Sequence, residues 1–363
     1  MSQIKQRYVP GRVNLIGEHL DYNGGLTLPF ALDRGTTVKA RRRDDGRIAV
    51  WSGGEHAEFA AEARPGDVDG WAAYVAGAAW ALGEAGLPVP GADVVVESNL
   101  PQGAGLSSSA ALVCGAVLAL ADLTTDTPPD GQTAAALAQR AEAEFVGVPV
   151  GRMDQLAVLL ARAGHLLALD HRSDPPATEP VAFDPAAAGL ALALIDTRVH
   201  HDLAAGEYAA RRSECAAACD ALGLDHLADA PVDAVLRLDD PVLVKRTRHV
   251  LTEQARARRA VQAVRSGAWT QLGTMLTASH ASLRDDYEVS CPELDLAVEA
   301  ALVHGALGAR MTGGGFGGSA LALVPAAKAA AMAEAISAAC VARGFAEPVV
   351  APVRTADGAL PTP

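Results

Sequence analysis

Three glycine-dense stretches set the problem that this chain has to solve. They run from Gly11 to Gly25, from Pro101 to Ala110 and from Thr312 to Ser319, and each is joined directly to an apolar segment. Glycine loses more conformational freedom on ordering than any other residue, so a stretch rich in it stays fixed only where contacts offset that loss. Five of the six residues from Gly313 to Gly318 are glycine. A flexible surface loop has such a composition too, but Phe316 and the immediate return to the apolar strand Ser319–Val324 argue that this loop packs against something.

The stretch Pro101-Gln-Gly-Ala-Gly-Leu-Ser-Ser-Ser-Ala110 lies between a short apolar strand, Ala92 to Glu97, and the run Ala110 to Leu123, whose few polar residues predict a helix buried on most sides. Gly103 and Gly105 let the backbone approach a ligand, and Ser107, Ser108 and Ser109 sit where a helix still has free N–H groups. Helix dipole, backbone donors and hydroxyls together favour a phosphate. An ordinary N-cap after a glycine turn reads the same way. The text matches neither a Walker loop nor a dinucleotide fingerprint. In the first stretch Glu18, His19 and Asp21 crowd beside Leu15 and Ile16, with Arg12 upstream. Carboxylates and an imidazole supply the acceptors and donors that an array of hydroxyls, such as a sugar, requires. A surface turn with incidental charges is the plainer alternative.

The 363 residues predict two domains, divided near residue 186, where a new strand, Leu190 to Asp196, begins. Helices are expected over Trp71–Gly86, Gln132–Glu144, Gly151–Ala163 and Glu207–Leu222, then over Arg246–Gly267, Trp269–Leu283, Leu294–Leu307 and Ala326–Arg343. Thirty Lys and Arg face forty-three Asp and Glu, a net charge of −13. That argues against nucleic acid and anionic membranes as partners, while leaving room for a local basic site. The five cysteines are too few and too scattered for a disulfide framework. Cys215 and Cys219, four apart on a helix, have the spacing that begins a metal site, but no further Cys or His follows at zinc-motif spacing, and they read better as small buried hydrophobes. The first residues lack a signal-peptide pattern, and the longest apolar run, Ala110 to Ala121, is too short to cross a bilayer. The expected location is the cytoplasm.

Arg12–Gly25, Pro101–Ala111 and Met311–Ser319 resemble the three motifs of the GHMP small-molecule kinase superfamily in their galactokinase form. Similar text continues at Gly151-Arg-Met-Asp-Gln155, Glu207-Tyr-Ala-Ala-Arg-Arg212 and His280–Cys291, in the same order along nearly the whole chain. Leu20 stands where Thr is common in the family, Val150 where Cys is common, and His171 replaces a frequent Cys. The resemblance implies a mixed α/β domain (residues 1–186) followed by an α+β domain (residues 187–363), with the active site in the cleft between them. It implies transfer of the γ-phosphoryl group of ATP to the C1 hydroxyl of D-galactose, and a monomer is expected over an obligate oligomer.

The same resemblance implies roles for individual residues. Asp154 is the proton acceptor and Arg12 stabilises the transition state. Glu18, His19, Leu20, Asp21, Gly151, Asp154 and Tyr208 hold the sugar. Gly103, Ala104, Gly105, Leu106, Ser107, Ser108 and Ser109 wrap the ATP phosphates, and Ser109 with Glu142 binds Mg2+, a hard cation suited to oxygen ligands. A catalytically silent sugar sensor on the same fold is the competing class. The presence of Arg12, Ser109, Glu142 and Asp154 together favours the enzyme.

Overall fold

A computed structural model describes residues 3–101, 103–199 and 204–360. The first lobe contains β1 (Lys5–Asn14), β2 (Leu26–Thr27), β3 (Pro29–Arg42), β4 (Arg47–Ser52), β5 (Glu55–Ala60), β6 (Ala92–Ser98), β7 (His165–Asp170) and β8 (Ala177–Ala182). They form one sheet in the order β1-β3-β6-β4-β5 and a small one in the order β2-β7-β8. Only β4 and β6 run parallel among these pairs. The helices are α1 (Ala72–Glu84), α2 (Ser108–Ala121), α3 (Gly131–Arg140) and α4 (Met153–Leu160). Helix α2 is buried along nearly its whole length, as its apolar text predicts, and packs on β1 and β3. Its first turn carries the serines of the second glycine-dense stretch.

The second lobe follows with β9 (Leu190–Asp196), α5 (Ala204–Leu222), α6 (Pro241–Ser266), α7 (Trp269–Asp285) and α8 (Pro292–Val303). It is completed by β10 (Gly308–Thr312), β11 (Ser319–Pro325), α9 (Ala329–Ala342) and β12 (Val349–Val353). Its antiparallel sheet has the order β10-β11-β9-β12. The third glycine-dense stretch is the turn between β10 and β11, and it does pack: Phe316 N donates to Val289 O at 2.7 Å, and the Arg211 guanidinium lies 5.7 Å from the Phe316 ring centre.

Two local features depart from the sequence expectations. The helix expected to run unbroken to Glu144 ends as α-helix at Arg140 and continues as a π-helical turn over Ala141–Val146. Within that turn Glu142 is buried, whereas Glu144 stays exposed and pairs with Arg140 at 3.0 Å. Single π-turns inside α-helices recur at functional sites. The second departure concerns the end of the chain. Past β12, Ala356 N donates to Ala31 O, Gly358 N to Ala161 O and Leu360 N to Leu159 O, each at 2.8 Å. This last segment, as far as Leu360, therefore lies on the first lobe although it follows the expected boundary near residue 186.

All five cysteines are free, and Cys215 sits against the Tyr287 hydroxyl at 3.0 Å. Among the described residues no helix is long and apolar enough to cross a membrane.

Candidate active site

The site grows from a pair of side chains delivered by distant elements. Arg12 projects from β1 and Asp154 from the first turn of α4. They meet fork to fork, Nε to Oδ1 and Nη2 to Oδ2, both at 2.8 Å. Such bidentate pairing fixes both orientation and position. The second glycine-dense loop closes around the same pair. Arg12 Nη1 donates to Gly105 O at 2.5 Å, Arg12 N to Leu106 O at 3.1 Å, and Ser107 Oγ to Asp154 Oδ2 at 2.5 Å. Gly103, Gly105 and Ser107 all have left-handed backbone, with φ of 71°, 73° and 58°. That conformation is ordinary for glycine and strained for serine, and it turns the Ser107 hydroxyl to Asp154 instead of to the end of α2. Ala104 and Leu106 are buried, and Ala104 O accepts from Ser319 Oγ at 2.7 Å, so the second and third glycine-rich loops lock together.

Beside the pair opens a cavity of about 210 Å³. Arg12, Glu18, His19, Asp21, Gly151, Asp154 and Tyr208 all line it, bringing together seven of the residues named from sequence. Val148, Pro149, Val150 and Met153 form an apolar wall, and Gly313 and Gly314 close it from the second lobe. This is smaller than the roughly 300–1,000 Å³ of drug-sized sites and suits a single small molecule. A β-carbon at Gly151 falls 1.7 Å from Asp21 Oδ2, so any larger residue there displaces the Asp21 carboxyl. Burial, and then the neighbouring Asp154, push the Asp21 carboxyl up to about 6. Burial and the same two carboxylates hold the Tyr208 hydroxyl well above its ordinary value, and so protonated.

Two of the expected sugar contacts behave otherwise. Leu20 does not line the cavity: its side chain is 0% exposed and lies under Gly25, where a β-carbon would come within 2.8 Å of it. The turn explains this. Leu20 O accepts from Asn23 N and Gly25 N, which leaves the apolar side chain directed into the core. Glu18 does line the cavity, but each of its oxygens already accepts twice from the protein. Oε1 takes Gly313 N at 2.9 Å and Thr312 Oγ1 at 3.1 Å, while Oε2 takes Asn14 Nδ2 and Arg310 Nη1, both at 2.7 Å.

On the other side of Asp154 the electrostatics change. Glu142 Oε2 accepts from Gln155 Nε2 at 3.2 Å, and the nearby Ser109 hydroxyl favours the ionised form of this carboxyl. Oε1 is buried with no partner among the described residues. Burial, reinforced by Asp154, raises Glu142 to about 8. An orphaned, buried carboxylate oxygen beside a hydroxyl is a donor set that a hard cation would complete. Among the described residues no cluster of three or more His, Cys, Asp or Glu is arranged to hold a metal alone, so a cation here needs further oxygen ligands from elsewhere.

Family profiles match three parts of the chain: the galactokinase galactose-binding signature over residues 8–42, the GHMP kinases N terminal domain over 73–162, and the GHMP kinases C terminal over 260–342. The chain is 48% identical to the galactokinase of Streptomyces coelicolor, over 94% of this chain and 90% of that protein. It is 45% identical to the galactokinase of Mycobacterium tuberculosis, over 96% and 97%. The chain belongs to the galactokinase family of GHMP kinases. Among solved structures it is similar to the Lactococcus lactis galactokinase complexed with galactose, with a TM-score of 0.90 and 31% identity over 98% of this chain and 94% of that one. The Methanococcus jannaschii mevalonate kinase, at 16% identity and a TM-score of 0.70, shares the GHMP fold.

This galactokinase-family chain also builds its site from residues that its motifs do not announce. Glu253 on α6 is buried and accepts from Gly17 N at 2.9 Å and Ser279 Oγ at 2.7 Å. His249 Nε2 meets Glu18 O at 3.2 Å, and Gln254 Oε1 takes Leu26 N at 2.8 Å. Arg310 on β10 is fully buried and reaches Leu15 O at 3.1 Å as well as Glu18, although its Nε and Nη2 have no partner among the described residues. The second lobe thus grips the loop from Leu15 to Leu26 of the first by its backbone.

Proposed function

We propose that this chain is a galactokinase, transferring the γ-phosphoryl group of ATP to the C1 hydroxyl of α-D-galactose and releasing α-D-galactose 1-phosphate and ADP. The observation that carries this reading is the Arg12–Asp154 pair, set where the small cavity meets the glycine-serine loop. A bond forms between O1 of the sugar and the γ-phosphorus, the bond from that phosphorus to the leaving oxygen of ADP breaks, and the C1 hydroxyl proton passes to Asp154. A positioned carboxylate lets a poorly nucleophilic hydroxyl attack without carrying its proton into the product. Arg12 orients Asp154 and offsets charge developing on the transferring group. Because Arg12 and Ser107 already bind both Asp154 oxygens, positioning contributes more than basicity.

In this reading His19, Asp21 and Tyr208 orient the sugar, and Glu18 sets the loop that carries them. Backbone from Gly103 to Ser109 faces the nucleotide phosphates. Ser109 and Glu142 would hold Mg2+, and that ion would neutralise phosphate charge when bound.

D-glucose differs from galactose in having its C4 hydroxyl equatorial. A site that hydrogen-bonds the axial hydroxyl leaves a buried polar group unpaired with glucose, at a cost of about 1–3 kcal/mol or more. The test is kcat/KM for galactose, glucose, N-acetylgalactosamine and 2-deoxygalactose, with the phosphate position read by NMR. Galactose is expected to lead glucose by at least tenfold, with phosphate on C1. Glucose equal to galactose, or phosphate on C6, overturns the substrate assignment.

A further inference from the structure

The segment that follows β12 touches both supports of the Arg12–Asp154 pair. On one side it meets β3. Ala31 of β3 is the register partner of Arg12 on β1, and β6 pairs with β3 only from Thr36 onward, so the far edge beside Ala31 is open to another strand. Ala356 takes that edge: it forms an antiparallel bridge with Ala31, and its N–H donates to Ala31 O at 2.8 Å. On the other side the segment meets the end of α4. That helix has eight residues, with Asp154 in its first turn and Leu160 as its last. A helix this short is marginal by itself, and its last carbonyls have no partner within it. Ala359 N donates to Val158 O at 2.9 Å, while Leu360 N donates to Leu159 O and Gly358 N to Ala161 O, both at 2.8 Å. The turn beyond is tied as well, Ala163 N to Asp357 Oδ1 at 2.8 Å and Gly164 N to Thr355 Oγ1 at 2.7 Å. Every donor in this set is a main-chain N–H, so the direction of every bond is fixed. The approach depends on Gly358, because a β-carbon there stands 2.4 Å from Leu159 O.

We propose that Thr355, Asp357 and Gly358 are positioning residues for the phosphoryl transfer: the segment Thr355–Leu360 holds the strand neighbour of Arg12 and the helix of Asp154 at the separation that their fork-to-fork pairing needs. Leu159 follows Asp154 by five positions, about 7.5 Å along the helix axis at about 1.5 Å per residue, so a shift at the end of α4 is carried to the carboxylate. Only Arg354 and Thr355 separate Val353, the last residue of β12, from Ala356. Through that short link the sheet of the second lobe anchors the segment, and the lobes cannot part without pulling on α4 or breaking these bonds. The loops that line the rest of the cleft are held by other contacts. Glu253, Gln254 and Arg310 fix the loop from Leu15 to Leu26, and Ser319 fixes Ala104 of the glycine-serine loop. Loosening the segment therefore moves the reacting pair and leaves the binding surfaces in place.

This inference rests on the sugar-kinase reading for the reaction it serves, while the placement of the pair is a property of the protein without substrates. The test compares full-length wild type with Gly358→Ala, at a temperature where thermal unfolding shows both to be folded. Protein labelled with 15N-arginine, with no sugar or nucleotide, gives the Arg12 Nε–H signal, assigned through Arg12→Lys. That proton is bonded to Asp154, so it is expected to exchange slowly with solvent in the wild type and at least about tenfold faster in Gly358→Ala. With galactose and Mg-ATP, kcat is expected to fall about tenfold, since a displacement of about 1 Å costs up to about 100-fold, while both dissociation constants stay within threefold. A merely structural role would lower the unfolding temperature and leave kcat of the folded enzyme alone. The exposed Asp357 supplies a second test. Asp357→Ala is expected to lower kcat about two- to fivefold, and Asp357→Asn, which keeps an oxygen for Ala163 N, to retain the wild-type rate. A kcat within twofold of wild type in folded Gly358→Ala, an unchanged Arg12 Nε–H exchange rate, or loss of substrate binding to the same degree as kcat overturns the proposal. Should Gly358→Ala fail to fold, the Asp357 variants decide, and equal rates in the two overturn it. A slow Arg12 proton that quickens in Gly358→Ala, in a protein that turns over no galactose, would instead contradict the sugar-kinase reading.

Discussion

On the side of the cleft proposed for the sugar, four protein donors already surround the Glu18 carboxylate and three side chains of α6 hold the backbone of the loop. On the side proposed for the phosphates, across Asp154, Glu142 has one buried oxygen without a partner among the described residues and a carboxyl raised to about 8. In the proposed reaction the two halves answer to different ligands. A neutral sugar brings no charge to organise its site, so hydroxyl-binding groups must be fixed in advance, and the open position left for it is narrow. A magnesium nucleotide brings charge of both signs, and the half of the site that receives it is completed by that charge. Buried electrostatics left unfinished are a cost in the free protein that the ligand removes on binding.

Asp154 belongs to both halves, so replacing it gives the largest effect. Asp154→Asn is expected to lower kcat about 100- to 10,000-fold, the range for a lost general base, while the dissociation constants of galactose and Mg-ATP change only a few-fold. Steady-state rates with calorimetric titrations check this, and turnover within threefold of wild type refutes the role. Gly151→Ala should break the sugar half alone. The added carbon meets Asp21 Oδ2 at 1.7 Å, and overpacking of this kind costs about 1–3 kcal/mol, so galactose binding weakens by about 5- to 150-fold while Mg-ATP binding is held. Loss of nucleotide binding to the same degree would erase the distinction between the halves. Tyr208→Phe is the gentlest probe. One neutral hydrogen bond is worth about 0.5–1.5 kcal/mol, which predicts a severalfold rise in the galactose dissociation constant and none for ATP, measured by calorimetry.

The division between the halves also follows how much of each was legible in the sequence. Strand β9 has the bounds expected of it, because an apolar run stopped by turn residues leaves little freedom. Arg12, His19, Asp21, Gly151 and Tyr208 sit in short contiguous motifs, and the fold brings them into one cavity. Leu20 sits in the same motif, yet its side chain goes to the core, because motif text does not say which side of a turn a side chain takes. Glu253, His249 and Arg310 were not visible at all. Their partners on the sugar loop lie more than two hundred positions away, and on an arginine-rich helix such as α6 a buried glutamate looks like any solvated charge. The π-turn that buries Glu142 has the composition of the α-helix it extends, and only tertiary packing distinguishes the two.

The most direct measurement of the contrast between the halves is the number of protons released on binding each substrate, from calorimetry in buffers of different ionisation enthalpy. With its carboxyl at about 8, Glu142 in the free protein holds roughly nine-tenths of a proton at about pH 7; a cation beside it favours the ionised form, so that proton must leave. Preformed Mg-ATP is therefore expected to release close to one proton per site near pH 7 and almost none at about pH 9, and Glu142→Gln should abolish the release. Galactose should release about a tenth of a proton at most near pH 7, because Asp21, at about 6, is already largely ionised there. Mg-ATP binding whose heat is the same in every buffer near pH 7, or proton release that survives in Glu142→Gln, would contradict the account.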